Sequence, residues 1–225
     1  TAVATSASTL SGQTIALRGI ECSVNISRES LRYGSFDAAR YILEQARSAI
    51  AEAEDQAFAF GSGIGAQPIG VTKATGIVNV PSENNTSSID SDDIGKLLSS
   101  IPNAAIGAKT RFMMNTDTSF KFSTLRDSNK RYIFSVPGVE YKNIDNGSYM
   151  TLAGVPVCIN DNMPDIGSGS RPVALIGTGA ITKFVGPIDM IIDPETRYPF
   201  NIVRVIAHTG YVIGRPKRIA VLNIN

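Results

Sequence analysis

Between Thr14 and Ile26 the segment TIALRGIECSVNI alternates apolar and polar positions and changes phase on the way. Ile15 and Leu17 hold one phase; Ile20, Cys22, Val24 and Ile26 hold the other. Gly19 stands at the switch, where a bulge or bend fits, so a long kinked strand is predicted. The period then lengthens. From Ser35 to Phe60 the apolar positions Leu43, Ala46, Ile50, Ala53, Ala57 and Phe60 recur at steps of three and four, while Glu44, Arg47, Glu52 and Glu54 stay off that stripe. This is the pattern of an amphipathic helix whose stripe packs on a neighbouring layer. Ser35 suits its N-cap and Asp37 its first turn, and Gly61 stands where a C′ glycine ends a helix. At 1.5 Å per residue, a helix over 35–60 is a rod of roughly 35–40 Å, long for a globular protein.

Beyond it the pattern shortens. Residues 72–91 are polar and turn-rich, with one short strand at Ile77–Val80. Ile94, Leu97, Leu98 and Ile101 give a second helix its apolar face, and Pro102 follows its end. TRFMMN reads as a buried strand ending at Asn115, which caps a third helix over Thr116–Arg126. A turn at RDSNKRY leads to a strand at Tyr132–Val136. Val155–Ile159 and PVALIGTG are further strands, and the tail from Pro187 to Asn225 is nearly all strand, broken by Pro and Gly turns. The elements predict an α+β fold with no internal repeat.

Composition adds little and excludes more. The 225 residues are 43% hydrophobic and 18% charged, with a net charge of +1, ordinary for a globular protein. No basic excess marks a nucleic-acid surface. No run of 18 apolar residues is present, so neither a membrane span nor a membrane partner is expected. Cys22 and Cys158 are the only cysteines; they make neither a disulfide framework nor a metal box, and buried free thiols are expected. The chain begins at Thr1 with a small, polar opening and reads as a fragment or a processed form.

The chemistry available is thin. Gly61, Gly63 and Ala66 fit the spacing G-x-G-x-x-G/A of a dinucleotide loop, but that loop follows a strand and opens a helix, so that the pyrophosphate meets the helix N-terminus. Here the helix precedes and a strand follows. Asp90, Asp92 and Asp93 lack the remaining ligands of a calcium loop and suit a helix start instead. The one histidine, His208, lies in an alternating strand without a partner to orient it. No catalytic or metal-binding motif appears, so no enzyme activity, cofactor or metal is expected.

The order of segments is informative where each alone is weak. VNISRESL, a long helix running into EAEDQAFAFGSGIGAQPIGV, DDIGKLLSSIP, RFMMNTDTSFKFSTLRDSNKRYIF, LAGVPVCINDNMP, ALIGTGAI and NIVRVIAHTGYVIGRPKRIAVL follow one another. This succession resembles the major capsid proteins of tailed bacteriophages, the Hong Kong 97-type family. The resemblance implies a spine helix over about 35–60, packed through the stripe from Leu43 to Phe60. It also implies a peripheral domain from 20–91 and 182–225, an axial domain at 92–181, and part of an extended β-hairpin arm, the E-loop, at 1–19. The family's N-terminal arm and first E-loop strand have no counterpart, so a truncated or processed form is expected.

The function so implied is a shell protein of a phage or prophage, made in the host cytoplasm and located in the virion capsid. It would self-assemble into pentamers and hexamers of an icosahedral head that encloses DNA without sequence-specific binding, with scaffold and portal proteins as partners. Some family members cross-link an E-loop lysine to an asparagine with the aid of a glutamate. Asn201 stands at the acceptor position and His208 at that of the glutamate, while Thr1–Arg18 contains no lysine, so these two are expected to be vestigial. Two rivals stand beside this reading: an encapsulin-type bacterial nanocompartment shell protein of the same fold, and a nucleotide-binding enzyme using the loop Gly61–Ala66.

Overall fold

The structure, a computed structural model, describes residues 14–27, 29, 38–65, 67–83, 88–127, 129–133, 142–143, 148–149, 151–167, 169–197 and 200–224. In chain order its elements are β1 (Arg18–Ser27), α1 (Ala38–Phe60), β2 (Val78–Pro81), α2 (Ser91–Ser100), β3 (Arg111–Met114), α3 (Thr116–Ser123), β4 (Lys142–Asn143) and β5 (Ser148–Tyr149). There follow β6 (Thr151–Leu152), β7 (Val155–Ile159), β8 (Val173–Ile176), β9 (Ile181–Arg197), β10 (Phe200–Ile213) and β11 (Ile219–Asn223). The mixture is the α+β class expected.

Two sheets carry the fold. One has three strands in the order β1-β10-β9, all antiparallel; the other has six in the order β2-β11-β8-β3-β7-β6. The six-stranded sheet explains its own sequence. Its strands FMM, VALI and IAVL are continuous apolar runs because both faces are covered. Phe112, Met114, Leu175 and Leu222 face one core with Ile94, Leu97 and Phe122. Met113, Ala174, Ile219 and Val221 face another with Ala59, Val71 and Ile77.

This sheet also divides the chain differently from the linear spans. β2 and β11 fall within the spans 20–91 and 182–225 expected to form the peripheral domain, yet both pair in the same sheet as β3, β7 and β8. The reason is burial. IAVL has no polar face to turn to water, so it is stable only between strands with cores on both sides.

Helix α1 bridges the layers. Ile42, Ala46 and Ile50, spaced by four, are buried against Val203, Val205 and Ala207 of β10, with Ile20, Cys22, Val24 and Ile26 of β1 half-buried beside them. Each buried isoleucine contributes about 1.5–3 kcal/mol. At its other end, Ala59 belongs to the core of the six-stranded sheet. The last carbonyls of α1 are met by the returning chain. Val71 N–H donates to Phe58 at 2.8 Å, and Thr72 donates to Ala59 through its N–H and its hydroxyl, the latter at 2.6 Å. The carbonyls of Phe58 and Ala59 are therefore satisfied by protein donors.

Several local expectations change. Ser35 and Asp37 lie outside the described residues, as do residues 134–136 of the expected strand at Tyr132–Val136; Tyr132 itself makes an isolated bridge to Arg126. Gly19 carries no kink. The β1–β10 ladder runs unbroken from Arg18↔Thr209 to Ser27↔Phe200, and Thr14–Leu17 precede the strand. The β9–β10 pairing is irregular instead, at two places; at one of them Gly186 and Pro187 make an extra residue against His208, as expected where proline has no N–H for the ladder. α3 stops at Ser123 rather than Arg126, because the hydroxyls of Ser123 and Thr124 take up the carbonyls of Phe120 and Lys121.

Candidate functional site: the helix exit, its cleft and the long strands

The glycine loop at the end of α1 is where a ligand reading would have to hold. Gly61 does not adopt the left-handed conformation of a C′ glycine, which Gly63 and Gly65 do. Gly61 N–H instead continues the helix, donating to Ala57 at 2.8 Å. Glycine is needed there for proximity. A Cβ on Gly61 would lie 2.0 Å from the Pro68 carbonyl, and one on Gly70 would lie 2.5 Å from Gly61 N. The loop is a hairpin-like reversal closed by a bridge between Ser62 and Ile69.

The amides of Ser62, Gly63 and Ile64 are engaged within it. Ser62 N–H donates to Gln67 Oε1 at 3.4 Å, Gly63 N–H to Pro68 at 3.3 Å, and Ile64 N–H to Ser62 Oγ at 3.3 Å. What the loop presents outward is a carbonyl: Gly65 accepts from Arg18 Nη1 at 2.5 Å. A phosphate cradle needs unengaged amides at the positive end of a helix dipole. Here carbonyls and the negative end face the loop. Ala66, the last position of the spacing, lies outside the described residues.

Beside the loop is a cleft of about 510 Å³, lined among others by Arg18, Glu54, Asp55, Phe60, Lys183 and Tyr211. Two of its charges pair with each other. Lys183 Nζ pairs with Glu54 Oε2 at 2.8 Å. Burial first, and the Glu54 charge second, hold the Asp55 carboxyl above the usual carboxylate range, with Lys183 pulling the other way. Tyr211 OH lies 3.0 Å from the Ala57 carbonyl and 2.9 Å from that of Ile69, sharing its one proton between them. Its ring meets Phe58 edge-on at 5.2 Å. Burial pushes the phenol above the ordinary tyrosine range. Tyr211 thus pins β10 to the helix exit, a role that its place in an alternating run did not reveal. No group of three or more potential metal ligands occurs among the described residues.

The stripe expected on α1 is only partly the buried one. Ala46 and Ile50 are buried, and Leu43 and Ala57 are half-buried, but Ala53 and Phe60 are exposed. Ile42 and Ala59 are buried in their place. The helix meets one sheet through Ile42, Ala46 and Ile50 and the other through Ala59, so a single straight stripe does not describe it. The i, i+4, i+8 spacing of Ile42, Ala46 and Ile50 was the available signal.

Asp93 is another residue underrated by the sequence. It is fully buried and accepts from Ser82 Oγ at 3.1 Å, Glu83 N at 2.9 Å and Asp90 N at 2.9 Å, while Asp90 caps α2. The spacing Asp90-x-x-Asp93 is a capping box with aspartate at the third position.

Asn201 and His208 are not brought together within the subunit. They lie on β10 seven residues apart, about 23 Å at strand rise, and odd spacing puts them on opposite faces. Asn201 is opposite Ile26 and His208 opposite Gly19 on β1. The thiols also differ from expectation. Cys22 is half-buried and Cys158 exposed, since Val157 takes the core side of β7 and its neighbour must point away.

The arrangement is one of shape, a rod joining two sheets, and it is shared with proteins that build shells. The fold is similar to that of the capsid of an empty GTA particle, with a TM-score of 0.80 at 21% identity over 93% of this chain and 72% of that one. It is also similar to a chain of Gordonia phage Cozz, with a TM-score of 0.65 at 15% identity over 99% and 78%. The encapsulin of the holo-SrpI complex from Synechococcus elongatus matches with a TM-score of 0.64 at 15% identity over 92% and 73%. No curated protein matches the sequence. The profile of the phage capsid family matches residues 1–224, and the chain belongs to that family. It is a structural shell protein of the phage capsid with the Hong Kong 97-type fold.

Proposed function

We propose that this chain assembles with copies of itself into the pentamers and hexamers of an icosahedral head, performs no catalysis, and encloses DNA without reading its sequence. The observation that carries this is α1. This 23-residue helix packs on one sheet through Ile42, Ala46 and Ile50 and on the other through Ala59, giving a stiff subunit able to hold repeated contacts. Heterologous contacts of this kind close into rings. We assign the three-stranded sheet and most of α1 to the peripheral domain, and the six-stranded sheet, with β2 and β11, to the axial domain. The net charge of +1 gives no excess attraction to DNA phosphates, which suits a container rather than a reader. Synthesis in the host cytoplasm, with scaffold and portal proteins as partners, belongs to the same reading.

The encapsulin reading has one observation in its favour, the similarity to the holo-SrpI shell. Electron microscopy of the full gene product expressed alone tests the proposal. Closed shells of five- and six-membered rings are expected. Protein that stays monomeric both alone and with its scaffold protein would overturn it, and shells that capture a host protein cargo would favour the encapsulin.

A further inference from the structure

The three-stranded sheet ends in a row that α1 does not cover. Val203, Val205 and Ala207 of β10 are buried beneath the helix, and their partners across the ladder on β9 are Ile192, Met190 and Ile188. These three therefore share the helix side of the sheet, yet they are 43–47% exposed, and Ile191 on the other side is 50% exposed. β9 is also the sheet's edge: among the described residues no strand pairs with its outer side. Four large apolar residues in five consecutive positions on an open edge are a template for another strand.

The first half of β9 is blunted, with Pro187 lacking an N–H and Gly186 in the irregularity opposite His208. Ile188–Ile192 has no such device except Asp189. Charge narrows the partner. The run IDMII holds one acid and no cation, so a nucleic acid or an acidic peptide gains no attraction there. An equally apolar strand does fit. Given the shell reading above, on which this inference rests, another copy of this chain is the surface present at highest local concentration.

We propose that Ile188–Ile192 forms a two-fold contact with the same segment of a second copy, the two strands antiparallel about Met190. In that register Met190 faces its own counterpart, Ile188 faces the second copy's Ile192, and Asp189 faces the second copy's Ile191. A register centred on Asp189 would oppose two carboxylates, which is destabilising. One centred on Ile188 would bring Pro187 into the ladder. A two-fold axis through Met190 and normal to the sheet keeps both α1 helices on the same side. A closed shell requires this, because its two-fold axes are normal to its wall. Each copy contributes the exposed side chains of Ile188, Met190, Ile191 and Ile192, far fewer than the roughly 20–30 residues a side of a lasting complex. The contact therefore forms in the shell and not between dilute subunits.

The test uses the full gene product carrying Met190→Cys, with Cys22→Ser and Cys158→Ser, after microscopy has established shells. Failure to form any shell even without these substitutions would refute the shell reading rather than this contact. Directly opposed residues of antiparallel strands have Cα atoms about 4.5–5.5 Å apart, inside the range that a disulfide spans. Oxidation of the shells is expected to give a covalent dimer and nothing larger on a non-reducing gel. Shells carrying Ile188→Cys alone or Ile192→Cys alone should give none, and co-assembled shells of the two should give the dimer. Should Met190→Cys itself not assemble, that co-assembly carries the test. Shells whose Cys variants do not dimerise overturn the proposal. This holds whether the thiols react freely with maleimide, so that the row is open, or are protected, so that a different segment covers it.

Discussion

Tyr211 shows what one side chain does for this fold. Its hydroxyl serves two backbone carbonyls, Ala57 on the helix and Ile69 on the reversal. Tyr211→Phe keeps the edge-on ring contact with Phe58 and leaves Ala57 with the Gly61 N–H, but takes the side-chain donor from Ile69. A loss of about 1 kcal/mol follows from the usual worth of such a bond. The pH dependence has a definite sign. The folded-state phenol is held above its unfolded value near 10, so the neutral form stabilises the fold. That stability is complete below about pH 10 and is lost as pH rises through the folded-state value. Urea denaturation of wild type and Tyr211→Phe should therefore show a gap that is constant at pH 7–9 and narrows above about pH 10. A gap that widens there would contradict the role. Neither Tyr211 nor Asp93 was legible as a special residue. The sequence showed an aromatic in an alternating strand and an acid at a helix start, and what makes each special is a partner over ten residues away, or a turn of chain folded over it.

At the scale of elements, α1 is the member on which the layers depend. Ile50→Asp places a carboxylate among Val203, Val205 and Ala207 with no partner in that core, and should cost about 3 kcal/mol or more. A clearly lowered melting temperature is the expected result, and an unchanged one would mean that the helix is not held there. Ala53→Asp, on an exposed position, should be close to neutral. This contrast marks where the periodicity misled. A step of three or four from Ile50 leads equally to Ala53 and Glu54, and hydrophobicity alone chose Ala53. Beyond Ile50 the three-stranded sheet reaches the helix through Lys183 and Tyr211 without burying Ala53, and the next buried residue, Ala59, belongs to the core of the second sheet. The strands were more legible. FMM, VALI and IAVL announce themselves as buried on both faces, and Asn115 caps its helix as read, accepting from Thr118 N–H at 2.7 Å. That β2 and β11 belong to the same sheet as β3 was not legible, since pairing between distant segments leaves no periodic trace in either.

For the whole molecule, the order of motifs pointed to the phage capsid family and the matched profile places the chain there. The glycine loop pointed elsewhere only by spacing; the amides of Ser62, Gly63 and Ile64 are engaged and its helix has the wrong polarity. Cross-linking is the remaining chemistry. Thr1–Arg18 contains no lysine, and Asn201 and His208 occupy opposite faces of β10. Shells of this protein should therefore fall to single subunits in hot detergent. A ladder of covalent pentamers and hexamers on a denaturing gel would show otherwise and would place a donor lysine outside Thr1–Arg18, in the other strand of the arm.

The claim that this is a shell subunit built around a bridging rod is tested most directly by electron cryo-microscopy of particles of the full gene product, at a resolution that traces helices. Each subunit in five- and six-membered rings should then show one helix of the length of α1 running from a three-stranded to a six-stranded sheet. Particles without such rings, or subunits whose long helix contacts only one sheet, would contradict it.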